Sequence, residues 1–256
     1  MPSVDSDRFR LTALLGPRTG RLLRPRNPYL RWLLWSTLIS LACVLLVDRQ
    51  LVLFFYENRA HWVYGFFDAI TDIGMGTGWY ILAVLTALAG YGGERFTLSV
   101  ARALMWRRIR NAGLFLLASL LLSGIVMIAI KVLTGRLRPR YLFEDGSYAF
   151  QPLTFDTGMV GFPSGHTQTI FAVMTVFWLV LPQHRPLYLI VAVLVGFSRV
   201  VVGAHYLGDV VFAAFLSIAL TVWLYDQMVR RGLPSRLQRG GYVLPFFRRR
   251  VRRRAP

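Results

Sequence analysis

Lysine is nearly missing from this chain. Of thirty basic residues, twenty-nine are arginine and one, Lys131, is not. Cysteine is as scarce: Cys43 stands alone inside an apolar run, which excludes an intramolecular disulfide and a cysteine-built metal site. Acidic residues number only 12, and Glu144, Asp145 and Asp156 are too scattered to argue for a metal cage. No metal and no cofactor is expected. No internal repeat or low-complexity linker divides the 256 residues, so one compact unit is expected. The first 26 residues hold no apolar stretch long enough for the core of a cleavable signal. A net charge of +18 comes without a zinc-finger or RNA-binding pattern to position it, so no nucleic-acid partner is expected.

What the chain does have is apolar length. It is 55% hydrophobic with a mean hydropathy of +0.48. Six runs stand out, over residues 29–47, 78–90, 112–133, 166–181, 187–202 and 208–228. A span needs about 20 residues, and lipid leaves helix as the way to satisfy an open backbone segment. The expected fold is therefore all-α, a bundle of six transmembrane helices. Between the first two runs, Trp62, Val63, Phe66, Phe67, Ile70 and Ile73 repeat at helical spacing, with Asp68 and Asp72 off that face. This predicts an additional short amphipathic helix, lying on the outer leaflet or capping the bundle.

Arginine counting orients the bundle. Seven arginines fall in residues 8–31, five in 95–110, one at Arg185 and ten in 230–254. In an alternating six-span topology these regions share one side, which the positive-inside rule places in the cytoplasm with both termini. The organisation that follows is a basic N-terminal segment, 1–28, a six-span membrane domain, 29–228, and an arginine-rich tail, 229–256. Leucine pairs alternating with arginine over 9–26, and six arginines behind two phenylalanines over 246–254, suit anionic lipid headgroups. Topology signal alone is the other reading of both.

The polar residues that remain gather on the opposite face. Lys131 ends the third run, and Arg138-Pro139 follows after six residues. A compact ammonium suits one phosphate oxygen, while a planar guanidinium clamps two, which fits Arg138 and Arg199. Pro139 favours an extended Arg138 on a stiff loop. Arg136 and Arg140 flank it off the pattern and read as headgroup contacts. Pro163-Ser164-Gly165-His166 precedes the fourth run as a helix start, with Ser164 as N-cap, and such an end offers unpaired N–H groups to an anion. Gly165 permits close approach, and His166 stands in the first turn. His205 and Asp209 are four apart, hence on one face of a helix, where Asp209 can accept one ring N–H and leave the other nitrogen as a nucleophile.

Lys, six residues, Arg-Pro; Pro-Ser-Gly-His; then Ser198-Arg199, five residues, His205, three residues, Asp209: this order resembles the type 2 phosphatidic acid phosphatase (PAP2) family. That family shares a superfamily with vanadium haloperoxidases and glucose-6-phosphatase. All three motifs are intact between Lys131 and Asp209. The resemblance implies phosphate binding by Lys131, Arg138, Ser164, Gly165 and Arg199. It implies attack by His205, orientation by Asp209, and proton transfer by His166 to the leaving group and then from water. Three cations and a helix terminus would supply what Mg²⁺ supplies elsewhere, so metal-independent hydrolysis is expected.

The expected substrate is a membrane lipid phosphate entering sideways at headgroup depth, on the periplasmic side of a bacterial cytoplasmic (inner) membrane. Phosphatidic acid, phosphatidylglycerol phosphate, undecaprenyl diphosphate and lipid A phosphates are the candidates. Short outward loops favour the simple lipids and the polyprenyl diphosphate over a bulky sugar. The loop 141–162, with Tyr141, Phe143, Tyr148, Phe150, Phe155 and Phe162, is expected to contact acyl or isoprenyl chains. Two alternatives share the site: a lipid-to-lipid phosphotransferase, and a non-catalytic lipid-binding or flippase-like membrane protein.

Overall fold

The computed structural model describes residues 28–59, 62–156 and 158–231. The two basic ends assigned to lipid headgroups fall outside these residues. Within them the regular structure is helical, with two isolated β-bridges and no strand. Five helical stretches are long and apolar enough to cross a membrane: Pro28–Leu46, Trp62–Phe96, Val100–Thr134, Pro182–Val201 and Leu207–Arg230. The chain is an integral membrane protein.

In chain order the α-helices are α1 (Pro28–Leu46), α2 (Asp48–Glu57), α3 (Trp62–Thr71), α4 (Gly76–Phe96), α5 (Val100–Thr134), α6 (Pro139–Asp145), α7 (Gly165–Val180), α8 (Arg185–Val201) and α9 (Leu207–Arg230). The stretch holding Trp62 and its neighbours is helical as α3, and with α4 it forms one of the five apolar stretches rather than a separate element. It seats Phe67 against Phe197 of α8 at a ring distance of 5.8 Å and leaves Trp62 and Phe66 exposed. A 3₁₀ turn, Asp72–Gly74, carries it into α4, so the second apolar run is longer than its composition indicates. Helix α2 was not anticipated.

The six-span count needs adjustment at the fourth run. Helix α7 has 16 residues, about 24 Å at 1.5 Å per residue, against about 30 Å of hydrocarbon. Nine of those residues are buried. Helices α5, α8 and α9 pack around it, so protein rather than lipid surrounds most of its length. The core lies along this contact, where Ile170, Val173 and Val176 meet Phe115, Leu116, Leu120, Ala192 and Val195. Small residues bring α4 and α5 together: a Cβ on Gly113 would stand 2.5 Å from the Ala87 amide nitrogen. Helix α1 packs on α9 and exposes leucine and tryptophan elsewhere.

Candidate functional site

Three connections, α5–α6, α6–α7 and α8–α9, bring the motif residues to one end of the bundle. Helix α5 stops at Gly135, whose φ of 59° is the left-handed conformation of a helix C-cap. Extended chain follows, stitched on both sides: Leu137 N donates to Ala149 O at 3.0 Å, Arg138 N to Met159 O at 3.0 Å, and Gly161 N to Arg136 O at 2.6 Å. Arg138 has the extended conformation that its proline dictates (φ −71°, ψ 158°), and Pro139 opens α6.

The turn at Val160–Gly161 is where the cations converge. Lys131 Nζ donates to Val160 O at 3.2 Å and to Gly161 O at 3.3 Å; Arg138 Nε donates to Val160 O at 3.3 Å. Gly161 faces the histidine–carboxylate pair, because a Cβ there would lie 3.2 Å from Asp209 Oδ2 and 3.5 Å from His205 Nδ1. Ser164 is the N-cap of α7 as expected, its Oγ accepting from Thr167 N at 3.5 Å and from Thr167 Oγ1 at 3.0 Å. Its own amide donates to Asp209 O at 3.3 Å. Gly165 and His166 form the first turn, half-buried, with His166 resting against Gly74.

Arg199 is buried near the end of α8, with Nη1 donating to Thr71 Oγ1 at 2.6 Å and Nε without a partner. Its carbonyl accepts the amides of Ala204 and His205 at 3.0 Å, which folds the 199–205 turn back onto the helix. Lys131, His166, Arg199 and His205 all lie within electrostatic reach of Arg138. Lys131, Arg138, His205 and Asp209 thus meet around Val160 and Gly161, and the Ser164 amide joins Asp209.

One expectation about local structure fails. His205 and Asp209 do not share a helical face, because α9 begins only at Leu207. Tyr206 is the N-cap, and Asp209 at the third helical position folds back to accept Tyr206 N at 3.0 Å on Oδ2. That same oxygen approaches His205 Nδ1 at 3.6 Å, longer than a hydrogen bond, and Nδ1 has no other partner. Burial holds the His205 imidazole down to about 3, far below its ordinary range, with adjacent Asp209 opposing the shift. His205 is therefore neutral at physiological pH.

A second correction concerns Arg136, expected to contact headgroups. It is 1% exposed, because Asp48 and Asp209 draw it inward. Nη1 donates to Asp209 Oδ1 at 2.6 Å, Nη2 pairs with Asp48 Oδ2 at 2.9 Å and donates to Tyr148 Oη at 2.6 Å. The guanidinium lies 4.1 Å from the Tyr206 ring centroid. Although burial works against its charge, Asp209 and Asp48 hold Arg136 above its ordinary range; burial in turn raises Asp48. Arg140, by contrast, is exposed and donates to Tyr141 Oη at 2.7 Å.

The Tyr148 hydroxyl donates to Val44 O at 2.8 Å, which ties its loop to the end of α1. Phe143 stacks on Tyr56 at 4.0 Å and Phe162 packs on Phe212 at 4.9 Å, while Phe150 and Phe155 remain exposed. Among the described residues, no three of His, Cys, Asp and Glu cluster to hold a metal ion.

Fold and site together define a helical membrane protein that gathers three cations, two histidines and a carboxylate at one end of its bundle. The PAP2 superfamily model matches residues 112–233. A lipid A 1-phosphatase of Rhizobium etli is 33% identical over 168 residues, covering 64% of this chain and 69% of that protein. An undecaprenyl-diphosphatase of Sulfolobus acidocaldarius is 30% identical over 146 residues, covering 54% and 69%. Among solved structures, a transmembrane PAP2-type phosphatidylglycerolphosphate phosphatase from Bacillus subtilis superposes with a TM-score of 0.59 at 21% identity, over 79% of this chain and 96% of that one. The chain belongs to the PAP2 superfamily.

Proposed function

We propose that this PAP2-type membrane lipid phosphatase works through a phosphohistidine on His205, without a metal ion. One observation carries the reading. Lys131 and Arg138 bond the Val160 carbonyl from two directions, and Gly161 next to it lies against His205 and Asp209. A phosphate at this turn meets cations on one side and a neutral imidazole on the other.

With Nδ1 toward Asp209, His205 presents Nε2 for attack. A P–N bond forms as the P–O bond to the lipid breaks, and His166 supplies the proton that the leaving oxygen takes. Asp209 offsets the charge on the phosphorylated ring. His166 then accepts a proton from water, whose oxygen attacks phosphorus; the P–N bond breaks and inorganic phosphate leaves. Lys131, Arg138, Arg199 and the first amides of α7 stabilise the phosphoryl oxygens throughout.

The relatives named lipid A 1-phosphatase put a glycolipid phosphate first among substrates, ahead of the simple lipids that loop length favours. Undecaprenyl diphosphate comes second. The arginine distribution supports an active site on the periplasmic side of an inner membrane.

The test is phosphate release by purified protein in detergent–lipid micelles on lipid A, undecaprenyl diphosphate, phosphatidic acid and phosphatidylglycerol phosphate. Release from one class that survives EDTA and falls at least about 10³-fold in His205→Ala is the expected result. Transfer of the phosphate to a second lipid would identify a phosphotransferase instead.

A further inference from the structure

Asp48 and Arg136 have no part in the chemistry just described, yet both are charged and almost wholly buried. Packing does not account for them, since apolar residues of similar volume are often at least as stable as a buried ion pair. Their geometry is directed. The two terminal nitrogens of Arg136 reach different carboxylates, Asp209 Oδ1 at 2.6 Å and Asp48 Oδ2 at 2.9 Å, and the guanidinium is covered by Tyr206. Both terminal nitrogens of Arg136 are thus committed to carboxylates, whereas Lys131 and Arg138 bond the Val160 carbonyl. Asp48 is fixed in its turn by Gly208 N, which donates to Oδ1 at 2.9 Å, and Ser40 Oγ donates to Gly208 O at 3.0 Å. The end of α1 and the start of α2 therefore grip the first turn of α9, the turn that carries Asp209.

We propose that Arg136 and Asp48 are positioning residues for the nucleophile: Arg136 holds Oδ1 of Asp209 so that Oδ2 stays aimed at His205 Nδ1, and Asp48 holds Arg136. This inference rests on the reading of His205 as nucleophile. Two carboxylates share one guanidinium, which leaves one surplus negative charge beside His205. That charge is in place before the ring turns cationic as phosphohistidine, so its effect falls on turnover and not on phosphate affinity. Without Asp48, Arg136 is free to chelate both oxygens of Asp209 and draw the carboxylate off the ring.

The experiment uses the full chain in detergent–lipid micelles, with lipid A and dioctanoyl phosphatidic acid as probes and inorganic phosphate as competing product. Asp48→Asn and Arg136→Lys are compared with Lys131→Ala and His205→Ala. The expected result is a kcat lowered about ten- to a hundredfold in both positioning variants, as for outer-shell partners of a reactive group. KM and the inhibition constant for phosphate should change by less than about twofold there, whereas both rise in Lys131→Ala. The double variant should be no worse than the weaker single one, because the residues act as a unit.

Wild-type kcat in Asp48→Asn overturns the inference. So does a rise of both constants in Arg136→Lys, which would make Arg136 a phosphate ligand. Asn is isosteric with Asp, so loss of the folded protein in Asp48→Asn, read by thermal unfolding, also overturns it by assigning the pair to folding. Activity surviving in His205→Ala removes the nucleophile reading and this inference together. A dead His205→Ala beside an unimpaired Asp48→Asn removes this inference alone.

Discussion

Two arginine–carboxylate clusters lie near opposite ends of helix α5. At one, Glu94 of α4 accepts from Arg107 Nε at 2.7 Å and from Arg110 Nη1, with the arginine side chains 55% and 29% exposed. At the other, Arg136 joins Asp48 and Asp209, with none of the three side chains more than 1% exposed. The residue types are the same, and the surroundings separate them. Exposed pairs gain little, because water competes for both partners and the long side chains lose freedom. A buried pair gains no more on balance, but each member becomes indispensable to the other, because an unpaired charge there has no water to turn to. The first cluster is surface electrostatics on a hairpin. The second is closed to water and ties Arg136 to Oδ1 of Asp209.

The largest difference should come from removing the shared guanidinium. Arg136→Met leaves Asp48 and Asp209 facing each other in the interior and should destabilise the protein by about 3–5 kcal/mol. Thermal unfolding in detergent reads this; a loss under about 1 kcal/mol would mean water already reaches the pair. Gly208→Ala attacks the same cluster by sterics. Its Cβ would stand 2.9 Å from Asp48 Oδ2 and 3.0 Å from the Ser40 carbonyl oxygen, and a backbone atom cannot swing aside. The expected cost is about 1–3 kcal/mol, the range for overpacking a tight interior.

The buried cluster was the part least legible in the sequence. The apolar runs and the motifs announced the helices and the local conformations around the motifs, because period, length and residue type act locally. Ser164 as N-cap and Arg138 as an extended pre-proline residue are of this kind, and both stand as expected. Arg136 was misplaced because its partners lie 88 and 73 residues away, at Asp48 and Asp209, and no local pattern links them. A signal did exist: Asp48 is a carboxylate directly behind an apolar run, where an ionisable group calls for a buried partner. The start of α9 was shifted for a related reason. Spacing of four suggests a shared helical face, but Asp209 satisfies the Tyr206 amide and so ends the helix two residues after His205.

The same comparison predicts a pH response. His205 is 2% exposed, and burial holds its imidazole down to about 3. A depressed value means the ring stays neutral, and able to attack, until the pH falls toward that value. The neutral fraction of His205, followed by its imidazole NMR signals, should therefore be nearly constant between pH 7 and pH 5. A solvent-exposed imidazole of ordinary affinity would lose about thirtyfold by pH 5. A drop of that size would show that the His205–Asp209 region is open to water, and the contrast between the two clusters would collapse.

The smallest effect belongs to Glu94→Gln. Two arginines lose a charged partner there, so a count of ion pairs ranks this change beside Arg136→Met. Solvent reverses that ranking, because Arg107 and Arg110 can hydrate in place of Glu94, and the amide retains an acceptor for one of them. The expected loss is under about 1 kcal/mol, with lipid phosphate turnover unchanged. Salt makes the distinction sharper. Raising ionic strength from 0.1 M to 1 M shortens the screening length from about 10 Å to about 3 Å, which should erase the small Glu94→Gln penalty. The Arg136→Met penalty should persist, because ions do not reach a cluster closed by Tyr148 and Tyr206. Equal salt sensitivity of the two variants would show that burial is not what divides these clusters.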